Sequence, residues 1–373
     1  MAKKSRAKSS SRSSKSAWIW SLVFTALTGT GGAGVGGWFK PDMPLAGPAV
    51  QQVLALVRGK VREEVSHVTG IPEDKLPTIS LGPPQGAAGG SSATGQVAVR
   101  PATATSTISI ASFNIQVFGT TKLAKPEVAE RLAGVVRRFD VVAIQEVRSK
   151  DDSVLPQFLQ RINAQGAAYN FVLGPRLGRT SSKEQYAIIY NTATIELDAP
   201  SVATFPDPND LLHREPLAAH FHVRGVPNPF SFWLVDIHTD PDEVRGEVDA
   251  LADVFLAMQN TASGEDDVIL LGDLNASPRQ LGRLGKLPGM TYAIGDNVPT
   301  NTRGDKTYDN LLFDGRRTVE YTGQWGVFNL QREFSISLDQ ALELSDHNPV
   351  WALFGSQEGA PETPLAARPT SPR

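Results

Sequence analysis

The residues of this chain that could do chemistry gather at the ends of apolar runs. In "LSDHNPV" (344–350), Asp346 and His347 stand side by side just before an apolar stretch. Asn114 lies at the end of "TISIASFNI", Glu146 at the end of "DVVAIQEV", and Asp236 and His238 at the end of "FSFWLVDIH". Asp273 and Asn275 finish "VILLGDLN", and Asp309 interrupts "TYDNLLF". One acid in such a place is ordinarily a turn or a helix cap. Six run ends that each supply carboxylate, amide or imidazole form a different pattern, because strand ends on one rim of a sheet layer converge in space. Converging carboxylates repel and call for a cation, and an oxygen-rich set selects Mg²⁺, Mn²⁺ or Ca²⁺. Histidines beside acids transfer protons near neutral pH. The chemistry that fits is metal-assisted hydrolysis of a phosphate ester.

Those ends must be held by a folded body, and the sequence predicts one over residues 106–355. Short apolar strands alternate there with helices. "TISIASFNI" alternates like a strand, "PEVAERLAGVVRRF" (126–139) is an amphipathic helix opened by Pro126, and "DVVAIQEV" reads as a buried strand. "QYAIIYN", "FSFWLVDIH", "DVILLGDLN", "TYDNLLF" and "NPVWALF" read as further strands, with a helix over 242–259. Many strands with interposed helices predict an α/β fold of packed sheets with helices outside. No internal sequence repeat is visible.

The chain lacks cysteine, which excludes disulfides, Cys-ligated zinc and a cysteine nucleophile. Its net charge of −3 is unevenly spread. Residues 1–105 carry 12 Lys/Arg against 5 Asp/Glu, whereas residues 106–355 carry 22 against 32. The body therefore does not present the broad cationic surface of a protein that grips nucleic acid by charge alone. Phosphate binding there needs local arginines or a metal ion.

The flanks read differently. Residues 1–16 form a basic, serine-rich arm, and residues 17–39 carry no charge. A spanning helix needs roughly 20 apolar residues, and a basic arm stays on the cytoplasmic side. The expectation is a signal-anchor at 17–39 with the rest of the chain outside; a cleaved signal peptide is the alternative. Residues 40–81 include an apolar helical period at 50–66 and read as a short helical juxtamembrane region. Residues 82–105, rich in Gly, Pro, Ala and Ser, read as a flexible linker, and 356–373 as a disordered tail.

Eight blocks ("IASFNIQVFG", "VVAIQEVR", "LGRTSSKEQY", "HREP", "DIHTDP", "LLGDLNASP", "TYDNLLF" and "SDHNPV") occur in the order of the endonuclease/exonuclease/phosphatase superfamily and resemble its deoxyribonuclease I branch. The resemblance covers about residues 106–355. It implies a four-layer α/β sandwich of two packed mixed sheets, with helices on both outer faces and the active site at one rim. Glu146 resembles the family's metal-binding glutamate. Asn114, Asp273, Asn275 and Asp346 match residues that hold the metal and the scissile phosphate. His238 and His347 match the paired histidines, and Glu184 and Asp309 resemble the carboxylates that orient them. The implied reaction is in-line attack of water on a phosphodiester with Mg²⁺, Mn²⁺ or Ca²⁺ as cofactor.

The superfamily also contains abasic-site endonucleases, inositol-phosphate phosphatases and sphingomyelinases. Arg148 after "QEV", Arg179 in "LGRTSSKEQY" and Arg214 in "HREP" match positions where the deoxyribonuclease branch contacts its substrate, which makes DNA the expected partner. Ser182 stands where the animal enzymes carry an aromatic residue that packs into the minor groove. A membrane-proximal phosphoinositide phosphatase or sphingomyelinase-type phosphodiesterase is the second reading. A non-catalytic binding protein on the same fold is the third; no histidine or metal glutamate of the motif set is missing, which argues against it.

Overall fold

The computed structural model of the chain describes residues 106–179, 183–261 and 264–359. The basic arm, the 17–39 segment, the 40–81 region, the 82–105 linker, most of the 356–373 tail and Ser182 lie outside the described residues. Among the described residues, no helix is long and apolar enough to cross a membrane.

Two six-stranded mixed sheets pack face to face. The first contains β1 (Thr107–Phe118), β2 (Val141–Val147), β3 (Tyr169–Leu173), β4 (Gln185–Asn191), β11 (Tyr321–Val327) and β12 (Val350–Gly355), in the order β11-β12-β1-β2-β4-β3. The second contains β5 (Ile195–Thr204), β6 (Leu217–Val223), β7 (Ser231–His238), β8 (Val268–Asp273), β9 (Met290–Tyr292) and β10 (Asp309–Asp314), in the order β5-β6-β7-β8-β10-β9. Each sheet has one parallel pair at its centre, β1/β2 and β7/β8, and antiparallel neighbours elsewhere. The two sheets thus share one topology although the sequence shows no repeat.

Strand alternation assigns each residue to a layer. On β1, Ile108 and Ile110 face the second sheet, while Ala111, Phe113 and Ile115 face the helices. Phe232 and Leu234 of β7, Ile269 and Leu271 of β8, and Leu311 and Phe313 of β10 fill the inter-sheet core from the other side. The first sheet's outer face is covered by α2 (Pro126–Val136), α3 (Val154–Asn163) and α6 (Leu338–Leu344), with short α1 (Thr120–Leu123) and α5 (Leu330–Phe334) beside them. Pro126 sits at the first turn of α2, where its missing N–H costs nothing. Ser337 and Gln340 close a capping box on α6. On the second sheet, α4 (Val244–Gln259) buries Val248, Leu251, Phe255 and Met258.

The expected strands are present, with bounds shifted by a few residues; the helix expected at 242–259 begins at Val244. Strands β3, β5, β6, β9 and β11 were not expected. β6 reads "LAAHFHV" and β11 "YTGQWGV", so polar residues and glycine break the apolar runs that mark the central strands.

Gly272 shows how tightly the site end is built. Its φ is +147°, and a Cβ there would fall 1.8 Å from the carbonyl oxygen of Ile237 on β7. Only glycine lets β8 approach β7 this closely one residue before Asp273.

Candidate active site

The inner-face series of the strands continue to the rim and change from apolar to polar there. Ile108, Ile110, Ser112 and Asn114 follow one another on β1; Phe232, Leu234, Asp236 and His238 on β7; Ile269, Leu271 and Asp273 on β8. Asp309 opens β10 opposite Asp273 in the antiparallel register. The site is therefore the polar end of the inter-sheet core.

Asp273 is its hub. Its Oδ2 accepts from Asn114 Nδ2 at 3.0 Å and its Oδ1 accepts from the Asn275 N–H at 2.9 Å. His238 Nε2 and His347 Nε2 each lie 3.5 Å from Asp273 Oδ2. Behind each imidazole stands a carboxylate. His238 Nδ1 is 2.6 Å from Glu184 Oε1, and His347 Nδ1 is 2.9 and 3.1 Å from the two oxygens of Asp309. Those contacts fix Nδ1 on the carboxylate side and turn Nε2 of both rings inward.

The buried charges explain the titration of the pair. Burial alone would lower His347, but Asp309 and Asp273 outweigh it and raise its pKa to about 10. His238 is raised in the same way, against burial, by its bond to Glu184 and by Asp273. Burial would lift Asp273, yet the two histidines hold it below the usual carboxylate range. Glu184 is fully buried and stays low through its bond to His238, then through Arg214 and Arg148.

Glu146 and Asn114 meet beside this hub, and Asp346 is bonded to Gln116, two residues along β1 from Asn114. Glu146 has a φ of +63° and Val117 one of +51°. Both lie where β1 and β2 slip register, between Asn114 and Phe118 and between Ile144 and Val147. Such bulges re-aim side chains. Here they bring the Val117 N–H to Glu146 Oε2 at 2.8 Å, and Glu146 Oε1 to within 3.4 Å of Asn114 Nδ2. Asp346 Oδ2 accepts from Gln116 Nε2 at 2.9 Å. Asn114 Oδ1 and Asp346 Oδ1 are buried without a hydrogen-bond partner among the described residues. Unsatisfied buried oxygens cost free energy, and oxygen donors of this kind suit a hard divalent cation. The residues present therefore fit a metal ion.

The three arginines expected to meet substrate have different surroundings. Arg148 Nε lies 3.1 Å from Glu146 and 3.7 Å from Glu184, with its side chain 30% exposed. Arg179 pairs with Asp210 and Glu243 on the surface. Arg214 is buried; its Nε donates to the His238 carbonyl at 3.0 Å and lies 3.3 Å from Glu184. Asn275 donates its side-chain amide to the Thr239 carbonyl at 2.9 Å and has a φ of +47°. Asp236 lies below the rim, fully buried, accepting from Gln145 Nε2 at 2.6 Å. Burial lifts its pKa well above the usual carboxylate range, against the bond from Gln145.

Several supporting residues escaped the sequence reading. Ser345 Oγ donates to the Asn114 carbonyl at 2.7 Å and accepts from the backbone N–H of His347 and of Gln116. Thr300 Oγ1 donates to Asp309 at 2.7 Å. Tyr186 Oη accepts from the His238 N–H at 2.9 Å. Lys122 donates to the carbonyls of Gln116 and Leu344, and burial lowers its pKa to about 8. Ser345 carried a signal in its place beside Asp346, and Tyr186 in its place two residues from Glu184; the others depend on tertiary register.

Comparison with known proteins identifies the family. Residues 111–347 match the endonuclease/exonuclease/phosphatase family, and the chain belongs to that family. Within it the chain is similar to deoxyribonuclease-1-like 1 of Sus scrofa, at 34% identity over 252 residues, covering 65% of this chain and 79% of the relative. The Homo sapiens deoxyribonuclease-1-like 1 is 32% identical over 252 residues, with coverage of 65% and 82%. Deoxyribonuclease gamma of Mus musculus is 28% identical over 261 residues, with coverage of 65% and 82%. Among solved structures, humanized D. rerio TDP2 aligns with a TM-score of 0.49 and 17% identity, over 67% of this chain and 100% of that one. The family and these relatives place the chain in the deoxyribonuclease I-like branch.

Proposed function

We propose that this chain is a divalent-metal-dependent endonuclease that cleaves a DNA phosphodiester by in-line attack of water, with residues 106–355 as its catalytic unit. The observation that carries this reading is the convergence of two carboxylate-backed histidines, each with Nε2 3.5 Å from Asp273 Oδ2. Relatives named deoxyribonucleases support DNA as the substrate.

Glu146, Asp346 and Asn114 would hold Mg²⁺ or Mn²⁺, which when bound neutralises phosphate charge and eases departure of the leaving oxygen. The protein's own groups do the rest. One histidine accepts the proton of the attacking water and the other supports the phosphate or protonates the leaving oxygen, each stabilised as imidazolium by Glu184 or Asp309. Asp273 and Asn114 hold the two rings and the phosphate in one frame, with Asn275 beside them. Arg148, at the edge of the metal cradle, contacts a flanking phosphate, and Arg179 adds charge at the surface. Arg214 acts from beneath by fixing Glu184 and His238.

The test is nicking of supercoiled plasmid by the full chain in Mg²⁺ or Mn²⁺, with and without chelator, beside His238→Ala and His347→Ala. Nicking that chelator stops and both substitutions abolish is the expected result. A folded protein that binds divalent ions but nicks nothing refutes the nuclease reading. A phosphodiesterase or phosphatase acting on lipid head groups is the second reading, favoured by the uncharged run at 17–39, and the same protein is assayed on phosphoinositides and sphingomyelin. We assign 17–39 as a membrane anchor on its length and flanking charge. Retention of the full chain in carbonate-washed membranes checks this, and release into the wash argues against it.

A further inference from the structure

The strands that carry the site also bring acids together at their opposite ends. Asp267 directly precedes β8, Glu320 directly precedes β11, and Glu358 follows β12 by three residues. β8 ends at Asp273 in the active site, so this cluster lies a full strand length away, roughly 20 Å at about 3.3 Å per residue.

Neighbours satisfy part of the cluster. Glu358 Oε1 accepts from the Ser231 N–H at 2.8 Å, and one Glu320 oxygen accepts from the Gly359 N–H at 2.6 Å. Glu265 beside them accepts from Ser231 Oγ and from the Asp267 N–H, and lies 3.4 Å from His220. Two carboxylate oxygens and one hydroxyl of the cluster are left over. Asp267 Oδ1 and Glu320 Oε2 are buried without a hydrogen-bond partner among the described residues, and so is Thr318 Oγ1, which lies beside the Asp267 carboxylate without closing a bond of ordinary geometry. Asp267, Thr318 and Glu320 are 3%, 1% and 1% exposed.

One carboxylate oxygen from each of Asp267, Glu320 and Glu358 lies within 4.8 Å of the other two. No lysine or arginine among the described residues pairs with any of the three; the nearby Arg317 is committed to Asp266, at 3.1 Å, and to Asp314. Like charges brought so close in a buried setting need a proton or a cation between them. Oxygens that share one ion at 2.3–2.6 Å lie no more than about 5 Å apart, which suits Ca²⁺, whereas Mg²⁺ demands a tighter octahedron.

We propose that Asp267, Glu320 and Glu358, with the Thr318 hydroxyl, form a structural calcium site at the end of the sandwich opposite the histidines. The ion ties the segment after β12 to the starts of β8 and β11. It contributes to stability and not to the chemical step. Without it, burial and then the carboxylates of Glu320, Glu265 and Glu358 push Asp267 up to about 8, so protons take over part of the role.

The test titrates calcium chloride into the full chain by calorimetry and follows thermal unfolding. A background of Glu146→Gln with Asp346→Asn removes the two carboxylates proposed to hold the active-site metal from the count. The expected result in that background is one calcium per chain, bound at least tenfold more weakly after Glu320→Gln or Glu358→Gln, and an unfolding midpoint raised by about 5 °C at a hundredfold excess over Kd. Glu358→Gln alone, in otherwise native protein, keeps plasmid nicking in Mg²⁺ within twofold. No calcium binding in the background, or binding that neither substitution weakens, overturns the proposal. So does a midpoint that calcium does not move while Glu320→Gln raises it at pH 8, because the acids are then held by protons alone.

Discussion

Asp309→Asn is the most informative single substitution at the site. It keeps the shape of the side chain and one oxygen for Thr300 Oγ1 and His347 Nδ1 to share, and removes the charge behind His347 together with the second acceptor oxygen. The carboxylate is 2.9 Å from His347 Nδ1 through one oxygen and 3.1 Å through the other. Hydrogen bonds to charged groups contribute about 1.5–3 kcal/mol, which sets the loss at about 10- to 150-fold in kcat if the carboxylate supports the ring more strongly in the transition state than in the ground state. Removing the imidazole altogether, by His347→Ala, should cost more, about 10²- to 10⁴-fold. Because Asp309 acts through His347, the double substitution should be no slower than His347→Ala alone. The assay is the initial rate of plasmid nicking under saturating Mg²⁺, with circular dichroism to establish folding. A folded Asp309→Asn protein within threefold of wild type, or a double variant markedly slower than His347→Ala, would refute the claim that Asp309 works by supporting the ring.

Four further outcomes are expected. Gly272→Ala places a methyl group against the Ile237 carbonyl and should cost at least about 3 kcal/mol in urea unfolding, with β7 and β8 losing amide protection together. Asp236→Asn should make the protein less sensitive to rising pH. The wild-type acid is raised by burial, so its stability contribution is complete below about pH 4 and falls by about 1.4 kcal/mol per pH unit above that, toward its folded pKa; denaturant titrations between pH 5 and 8 should show that slope shrinking in the variant. In chelator, Asp267 behaves alike, its contribution complete below about pH 4 and lost as the pH rises through about 8, and Asp267→Asn should flatten the midpoint over that window. Glu184→Gln should slow nicking by about 10- to 150-fold, matching Asp309→Asn, since it stands behind His238 as Asp309 stands behind His347.

Much of this site was legible because it rides on strand periodicity. Asn114, His238 and Asp273 each end an alternating series that a reader can follow from Ile110, Leu234 and Leu271, and the polar residue falls on the same face as the apolar ones before it. Period two fixes the face, and burial of that face fixes the register. Asp236 shows the limit: its parity is that of His238, but depth along the strand, which sequence does not mark, puts it under the rim with Gln145. Arg214 shows another limit. Its motif marks a basic group near phosphate, yet only the fold reveals that it points inward at Glu184 and the His238 carbonyl. Lys122 and Thr300 sit on segments with no chemical pattern, Tyr186 closes a block marked for Glu184, and the contacts of all three exist only once the strands are in register.

The shared topology of the two sheets gives the site its logic. In each sheet the strand antiparallel to the second member of the parallel pair brings a buried carboxylate to the rim, Glu184 just before β4 and Asp309 at the start of β10. In each sheet the loop entering the strand beside the first member of that pair delivers a cationic or protonatable group three residues ahead of it, Arg214 before β6 and His347 before β12. Those groups meet the carboxylate of the opposite sheet, Arg214 at 3.3 Å from Glu184 and His347 at 2.9 Å from Asp309. The ends of the parallel pairs then differ: β2 carries Glu146 beside Asn114 one residue before its end, and β8 ends in Asp273 between the histidines. One frame used twice thus sets acids and bases face to face across the two sheets, and divergence at equivalent positions gives the first sheet Glu146 where the second has Asp273. A swap that equalises the halves, such as Arg214→His, should keep the fold, since Glu184 can still be met by imidazole. It should slow nicking, because the charge that holds Glu184 ionised behind His238 is then only partly present at neutral pH. Nicking unchanged across pH 6 to 9 in that variant would show that Arg214 contributes packing and no electrostatic support.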